Sequence, residues 1–302
     1  MIEVRNISKK YGTSYALNNV SFSINDNNIT GIIGHNGAGK TTLFMIANGL
    51  SKPTSGDIFI DNFSLSKNRD YIRLCTGLFT DRLHLYQLLT VKECIDFFKG
   101  MYKVSKTRID YLMESLSLKE FANKKISELS TGMLKRVLLA ISIINNPKVL
   151  FLDEPFSGLD PESRNDFIHL IKEISNDNIQ LLISSHELLE LETIIKRLVV
   201  LKKGKIVIDD YLDKLMYQYF PNRILEIDIY CSQFQILKNH LQKLNASQSI
   251  KFLEKGDNIC SLNIDVKDSH LIFSSLPDYA RIISVRDYKP SLDDLYFKIN
   301  EN

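Results

Sequence analysis

The segment Gly34-His35-Asn36-Gly37-Ala38-Gly39-Lys40-Thr41 constrains this chain more than any other stretch of its 302 residues. It fills G-x-x-x-x-G-K-[ST] at every fixed position. Its glycines let the backbone turn so that N–H groups converge on phosphate oxygens, and a helix starting near Gly39 adds its positive end. Lys40 is placed to reach the β- and γ-phosphates of a nucleotide, and the Thr41 hydroxyl to ligate Mg²⁺, with Thr42 next to it in the binding set. The apolar run 29–33 directly before Gly34 supplies the buried strand such a loop requires, which a chance glycine-rich turn would lack.

A strand–loop–helix unit of this kind belongs in an α/β sheet. Strand-like pieces at 2–4 and 20–24 come first. Helical spacing of apolar residues follows at 91–101, 109–118 and 133–145. The apolar run 149–152 ends in Asp153 and Glu154, and the run 179–183 ends in Ser184, Ser185 and His186. Apolar runs that end in polar residues and alternate with helices predict a parallel sheet with its ligand site at the carboxyl ends of the strands. Adjacent strand residues point to opposite faces. Asp153 is therefore expected on Mg²⁺, with Glu154 turned toward the γ-phosphate to orient an attacking water.

From Arg223 the texture changes. Leu225, Ile227 and Ile229 alternate with Glu226, Asp228 and Tyr230, as in a half-buried strand. Helical spacing at 234–244, strands at 249–254 and 258–265 joined by Lys255-Gly256-Asp257, a helix at 269–276, a strand at 281–286 and a helix after Pro290 complete the order βαββαβ plus a helix. That is the ferredoxin-like α+β pattern. The expected division is a nucleotide-binding domain at 1–210, a linker at 211–222 and an accessory domain at 223–302, in keeping with about 150 residues per domain.

Composition excludes some function classes. Lys plus Arg (38) against Asp plus Glu (36) leaves a net charge of +2, which argues against a nucleic-acid partner. Lys202-Lys203-Gly204-Lys205 reads as a solvated hairpin turn. No segment approaches the roughly 18 apolar residues that span a bilayer, and the N-terminus lacks the signal-peptide pattern. Cys75, Cys94, Cys231 and Cys260 are scattered, with no Cys-x-x-Cys pair, and read as reduced thiols with no zinc site.

Leu129-Ser130-Thr131-Gly132-Met133 resembles LSGGQ, the signature of ATP-binding cassette (ABC) ATPases, with Thr131 and Met133 where glycine and glutamine are usual. The likeness covers about residues 1–208 in the family's order: Tyr11, the phosphate loop, the signature, the acidic strand, Ser157-Gly158-Leu159-Asp160 and His186. Ser130 also fits the start of a helix as a cap. The resemblance implies a P-loop NTPase fold with a β subdomain and a helical subdomain. It further implies that Gly34 to Thr42 bind ATP with Mg²⁺, and that Tyr11 stacks on adenine. Ser130 and Gly132 are then expected to contact ATP held by a second subunit, and Asp160 to lie at the dimer contact. Lys40, Glu154 and His186 form the implied catalytic set, His186 holding the γ-phosphate. The family's lid-loop glutamine falls by spacing on Asp81, which can bind Mg²⁺ or water through oxygen.

The final Pro290-Ser291-Leu292-Asp293-Asp294-Leu295-Tyr296-Phe297 looks like the closing motif of ATPase subunits of ABC-2-type exporters. The implied function is an ATPase that forms a homodimer or heterodimer and powers export through a separate membrane permease. Its implied place is the cytoplasm, on the inner face of the membrane. The alternatives are an importer ATPase subunit and a soluble, non-transport ABC ATPase. The single phosphate loop and the lack of coiled-coil or zinc insertions speak against the soluble alternative.

Overall fold

The computed structural model describes residues 1–26, 28–175, 179–242, 251–256 and 258–301. It divides into two units, Met1–Leu212 and Asp213–Asn302. In chain order the first unit has β1 (Ile2–Tyr11), β2 (Ser14–Ile24), β3 (Thr30–Ile33), α1 (Lys40–Ala47), β4 (Ser55–Ile60), β5 (Phe63–Ser64), α2 (Arg69–Cys75), β6 (Thr76–Thr80), α3 (Val91–Tyr102), α4 (Lys106–Ser115), α5 (Thr131–Ser142), β7 (Val149–Asp153), α6 (Pro161–Ser175), β8 (Gln180–Ser185), α7 (Leu188–Glu192), β9 (Arg197–Lys202) and β10 (Lys205–Tyr211).

Every residue of β3, β7 and β8 is buried. Strands covered on both faces read as continuous apolar runs, which is why these three stand out in the sequence. They lie in a sheet of order β10-β9-β3-β8-β7-β6. Neighbours from β9 to β6 are parallel, and β10 turns back antiparallel through Lys203 and Gly204, both at positive φ. Register sets Ile33 beside Ser185, and Asp153 beside Ser184 and Thr80. The carboxyl ends of β3, β8, β7 and β6 are thus brought side by side.

The pieces at 2–4 and 20–24 do not join that sheet. They lengthen into β1 and β2 of a separate sheet, order β2-β1-β4-β5, with antiparallel pairing throughout. One apolar core joins the two sheets: Ile2, Ile7 and Ile24 pack in the same cluster as Phe44 of α1 and Phe151 of β7. The Phe44 and Phe151 rings meet at 5.1 Å, a contact that anchors the helix following the phosphate loop. On the helical side, α3 opens on a capping box: Glu93 N donates to Thr90 Oγ1 (3.2 Å) and Thr90 N to Glu93 Oε2 (2.8 Å).

The second unit has α8 (Leu212–Tyr219), β11 (Ile224–Cys231), α9 (Phe234–Gln242), β12 (Lys251–Gly256), β13 (Ile259–Asp265), α10 (Ser269–Ser275), β14 (Ala280–Tyr288) and α11 (Leu292–Glu301). Its sheet runs β12-β13-β11-β14, antiparallel throughout. One face packs Ile227, Ile229, Leu262 and Ile264 against Leu237, Leu241 and Ile272 of the helices. Residues 211–222, expected as a linker, instead hold the last residue of β10 and helix α8. The expected helix end at 243–244, strand start at 249–250 and turn residue Asp257 lie outside the described residues. Among the described residues no helix is long and apolar enough to cross a membrane.

Candidate functional site

The phosphate loop leaves β3 at Gly34. A methyl group there would sit 2.3 Å from the carbonyl oxygen of Leu201, so only glycine lets the loop lie this close to β9. Gly39, at φ 112°, turns the chain into α1, a conformation open to glycine and strained for other residues. Lys40, nearly buried, folds back so that Nζ donates to Gly34 O (2.6 Å) and lies 3.5 Å from Glu154 Oε1.

Both oxygens of Asp153 are in use. Thr41 Oγ1 donates to Oδ2 (2.8 Å) and Ser184 Oγ donates to Oδ1 (2.6 Å). The first of these pairs unites two oxygen donors from β7 and α1. A hydroxyl and one carboxylate suit Mg²⁺, which takes few protein ligands and completes its octahedron with phosphate oxygens and water. Among the described residues no group of three or more His, Cys, Asp or Glu gathers into a metal cage. The Thr41 hydroxyl and the Asp153 carboxylate fit a cation that takes its remaining ligands from a nucleotide and water.

Glu154 differs from its neighbour through the backbone. Strand β7 ends at Asp153, and Glu154 stands beyond it at φ 52°, so a left-handed turn, and not strand alternation, separates the two carboxylates. Such strain in a non-glycine residue persists only where its surroundings fix it. Here Glu154 N donates to Ser184 O (3.1 Å), and Glu154 Oε2 accepts from His186 N (3.2 Å) and meets His186 Nδ1 at 2.7 Å. An ionised carboxylate can only accept, so Nδ1 carries the hydrogen and Nε2 stays available to another group.

Ser130 caps α5 as expected, its Oγ accepting from Met133 N at 3.3 Å. Ser130 and Thr131 are exposed, which leaves this helix start accessible. Asp160 caps α6 in the same way: Ser163 N donates to Oδ1 (3.0 Å), and hydrogen bonding from the Ser163 side chain first, then from its backbone N–H, holds the Asp160 carboxyl below the usual carboxylate range. Tyr11 closes β1 with its ring 56% exposed, Lys9 Nζ lying 5.0 Å from its centroid.

A family model for ABC transporters matches residues 17–157. The lantibiotic transport ATP-binding protein SrtF of Streptococcus pyogenes is 33% identical over 227 residues, which cover 74% of this chain and 98% of SrtF. The chain belongs to the ABC transporter family. The linearmycin resistance ATP-binding protein LnrL of Bacillus subtilis is 25% identical over 305 residues, 99% of this chain and 98% of LnrL. The probable multidrug ABC transporter ATP-binding protein YbhF of Escherichia coli is 32% identical over 222 residues, 72% of this chain, and the match spans 38% of YbhF. Among solved structures, the dimeric post-hydrolysis state of the cassette MJ0796 bound to ADP and Pi aligns with TM-score 0.63 and 26% identity, covering 70% of this chain and 99% of that one.

Two residues of this ABC cassette escaped sequence reasoning. Ser184 was visible only as part of a polar strand end, yet it holds both Asp153 and the Glu154 amide. Lys135, inside α5, is 2% exposed and donates to Pro155 O (2.8 Å) just past the acidic pair. Burial pushes its ammonium below the ordinary lysine range, and Asp81 counters that shift from 3.4 Å. Asp81, expected among the metal ligands, is thus turned to a buried cation that needs an anion. Beside the site a cleft of about 300 Å³ runs from Thr41 and Asp153 to Leu83, Phe98 and Tyr102.

Proposed function

We propose that this chain hydrolyses ATP as the motor subunit of an exporter, two cassettes enclosing two ATP molecules head-to-tail. The observation that carries the reading is the convergence of Lys40, Thr41, Asp153, Glu154 and His186 at the ends of three adjacent buried strands. Lys40 and the loop amides bind the phosphates. Thr41 and Asp153 would hold Mg²⁺, whose charge would offset the negative charge of the phosphates. Glu154 positions the attacking water and takes up its proton, while His186 fixes the Glu154 carboxylate and contacts the γ-phosphate through Nε2. A positioned base of this kind is worth about 10² to 10⁴ in rate. Tyr11 stacks on adenine.

The accessible Ser130 and Gly132 region supports a contact to ATP on the second cassette, with Asp160 at the same interface. ATP favours the closed pair and hydrolysis releases it, and that difference between states drives a separate membrane permease. The apolar cleft beginning at Thr41 and Asp153 offers the permease a surface, which would hold the chain on the cytoplasmic face of the membrane. Export is favoured over import by the likeness along the whole chain to LnrL, named for linearmycin resistance, a role that export of the compound would serve. The strand order of the second unit supports the ferredoxin-like reading, and we assign that unit a regulatory or dimer-supporting role.

Glu154→Gln tests the motor. With ATP it should accumulate as a dimer by light scattering, and a variant that stays monomeric at saturating ATP would break the head-to-tail model. Purification from native membranes in mild detergent tests the coupling. Co-elution of a polytopic membrane protein supports a transporter, while recovery with ribosomes or other soluble assemblies overturns it.

A further inference from the structure

Helix α5 buries a largely apolar face that includes Val137, Leu138 and Leu139, and Lys135 is buried with them. An ammonium taken out of water is costly unless it is paired and hydrogen-bonded, and a methionine would fill similar volume without that cost. The buried cation therefore calls for a reason. Its Nζ donates to Pro155 O (2.8 Å) and lies 3.5 Å from Glu154 O and 3.4 Å from Asp81 Oδ2. The Phe79 ring centroid stands 5.6 Å away. The Asp81 side chain is half exposed, so the counter-ion reaches the ammonium from the solvent side.

These contacts converge on the left-handed turn at Glu154. On its N-terminal side the turn is held by Ser184: Glu154 N donates to Ser184 O (3.1 Å) and to Ser184 Oγ (3.3 Å). On its C-terminal side comes Pro155, which has no N–H, so the backbone there can be held only through its carbonyl oxygens. Pro155 is buried, and Lys135 supplies the donor to its carbonyl. Glu154 O accepts from Ser157 N at 3.4 Å, with the Lys135 ammonium at 3.5 Å. A strained residue keeps its conformation only when both sides are fixed. With Ser184 on one side and Lys135 on the other, the Glu154 carboxylate is directed at His186 and Lys40. Lys135 also lies on the helix that Ser130 caps, so the same ammonium joins that helix to the main chain of Glu154.

We propose that Lys135 is a positioning residue for ATP hydrolysis: its ammonium, with Asp81 as counter-ion, holds the carbonyls of Glu154 and Pro155 and so aims the Glu154 carboxylate. This deepens the ATPase reading and rests on it. The test compares the full chain with Lys135→Met, Asp81→Asn and the double variant. Phosphate release is followed across ATP and Mg²⁺ concentrations, and binding of a non-hydrolysable ATP analogue by equilibrium dialysis. Lys135→Met should lower kcat by up to about 10²-fold, the scale of a catalytic group displaced by about 1 Å, while KM and analogue affinity stay within about twofold. Unchanged kcat, or a parallel loss of analogue binding, overturns the proposal, the second by reducing Lys135 to a support of the fold. Asp81→Asn should lower kcat severalfold at the same half-saturating Mg²⁺, and should add less than about twofold in the Lys135→Met background. An unchanged kcat, a raised Mg²⁺ requirement or an additive effect would separate Asp81 from Lys135 and overturn the pairing. Asp81→Asn alters a half-exposed side chain, so its comparison with the unmodified chain stands even if Lys135→Met folds poorly. An unmodified chain without hydrolysis would instead sink the ATPase reading itself.

Discussion

The two units gather polar side chains in different places. In Met1–Leu212, Asp153 receives hydrogen bonds from Thr41 and Ser184, Lys40 is held by Gly34 and Glu154, and Glu154 is held by His186. In Asp213–Asn302 polar side chains instead pair across neighbouring strands, Ser261 and Ser284 donating to Asp228 and Arg286 to Glu226. The difference lies in what each cluster serves. A site for a polyanion and its cation must hold ionised groups in place before either arrives, since an unpaired buried charge costs far more than an unpaired amide. Such a network is also preorganised for a developing transition-state charge.

The largest expected effect falls on the charged network. Glu154→Gln should lower ATP hydrolysis by about 10² to 10⁴ in a phosphate-release assay. A variant that retained most of its hydrolysis would remove Glu154 from the chemistry. Next comes Gly34→Ala, whose new methyl meets Leu201 O at 2.3 Å. Overpacking of this kind costs about 1–3 kcal/mol, read as a lower denaturation midpoint together with weaker nucleotide binding. Gly100→Ala in α3 is the control, with no atom within 4 Å of the new methyl; it should stabilise by up to about 1 kcal/mol.

Ser130→Ala should cost about 1 kcal/mol through loss of the α5 cap, and should also weaken ATP-driven dimer formation if the cap faces a second nucleotide. Loss of stability with intact dimerisation would confine Ser130 to the fold. Deleting residues 223–302 should change ATP affinity by no more than about twofold, as expected of independent sites; complete loss of binding in equilibrium dialysis would refute the separation of the two units.

The smallest effect concerns the thiols. Burial raises the Cys94 thiol to about 11, so it stays protonated at pH 8 and becomes a thiolate only as pH climbs past that value. Iodoacetamide at pH 8 should label the half-buried Cys75 first and spare Cys94. Early modification of Cys94, read by peptide mass spectrometry, would show that α3 opens in solution.

Legibility in the sequence tracked the range of the interaction. The phosphate loop, the Ser130 cap and the Lys203-Gly204 turn depend on residues within one turn or hairpin, and each stands where its spacing put it. The acidic pair was legible as a pair, but the geometry that parts its members was misread: a left-handed Glu154, and not strand alternation, separates the carboxylates. Asp81 fell into a metal role by spacing alone, because nothing nearby in sequence announces that Lys135, buried 54 residues away, takes its carboxylate. Helix α8 read as a linker because its eight residues span barely two turns, too few for the spacing of Leu212, Leu215 and Met216 to stand out as helical.

By itself the sequence determined which chemistry this chain could host, since a phosphate loop, an acidic strand end and a signature are local patterns with fixed spacings. Tertiary structure alone decided how those pieces meet. The order β3-β8-β7 inserts Ser184 between the phosphate loop and Asp153, and register sets it beside Asp153. It also buried Asn263 on β13 with no hydrogen-bond partner for its side-chain amide. Strand order and burial are products of long-range packing, and an asparagine on a strand looks the same in sequence whether its amide is satisfied or left free.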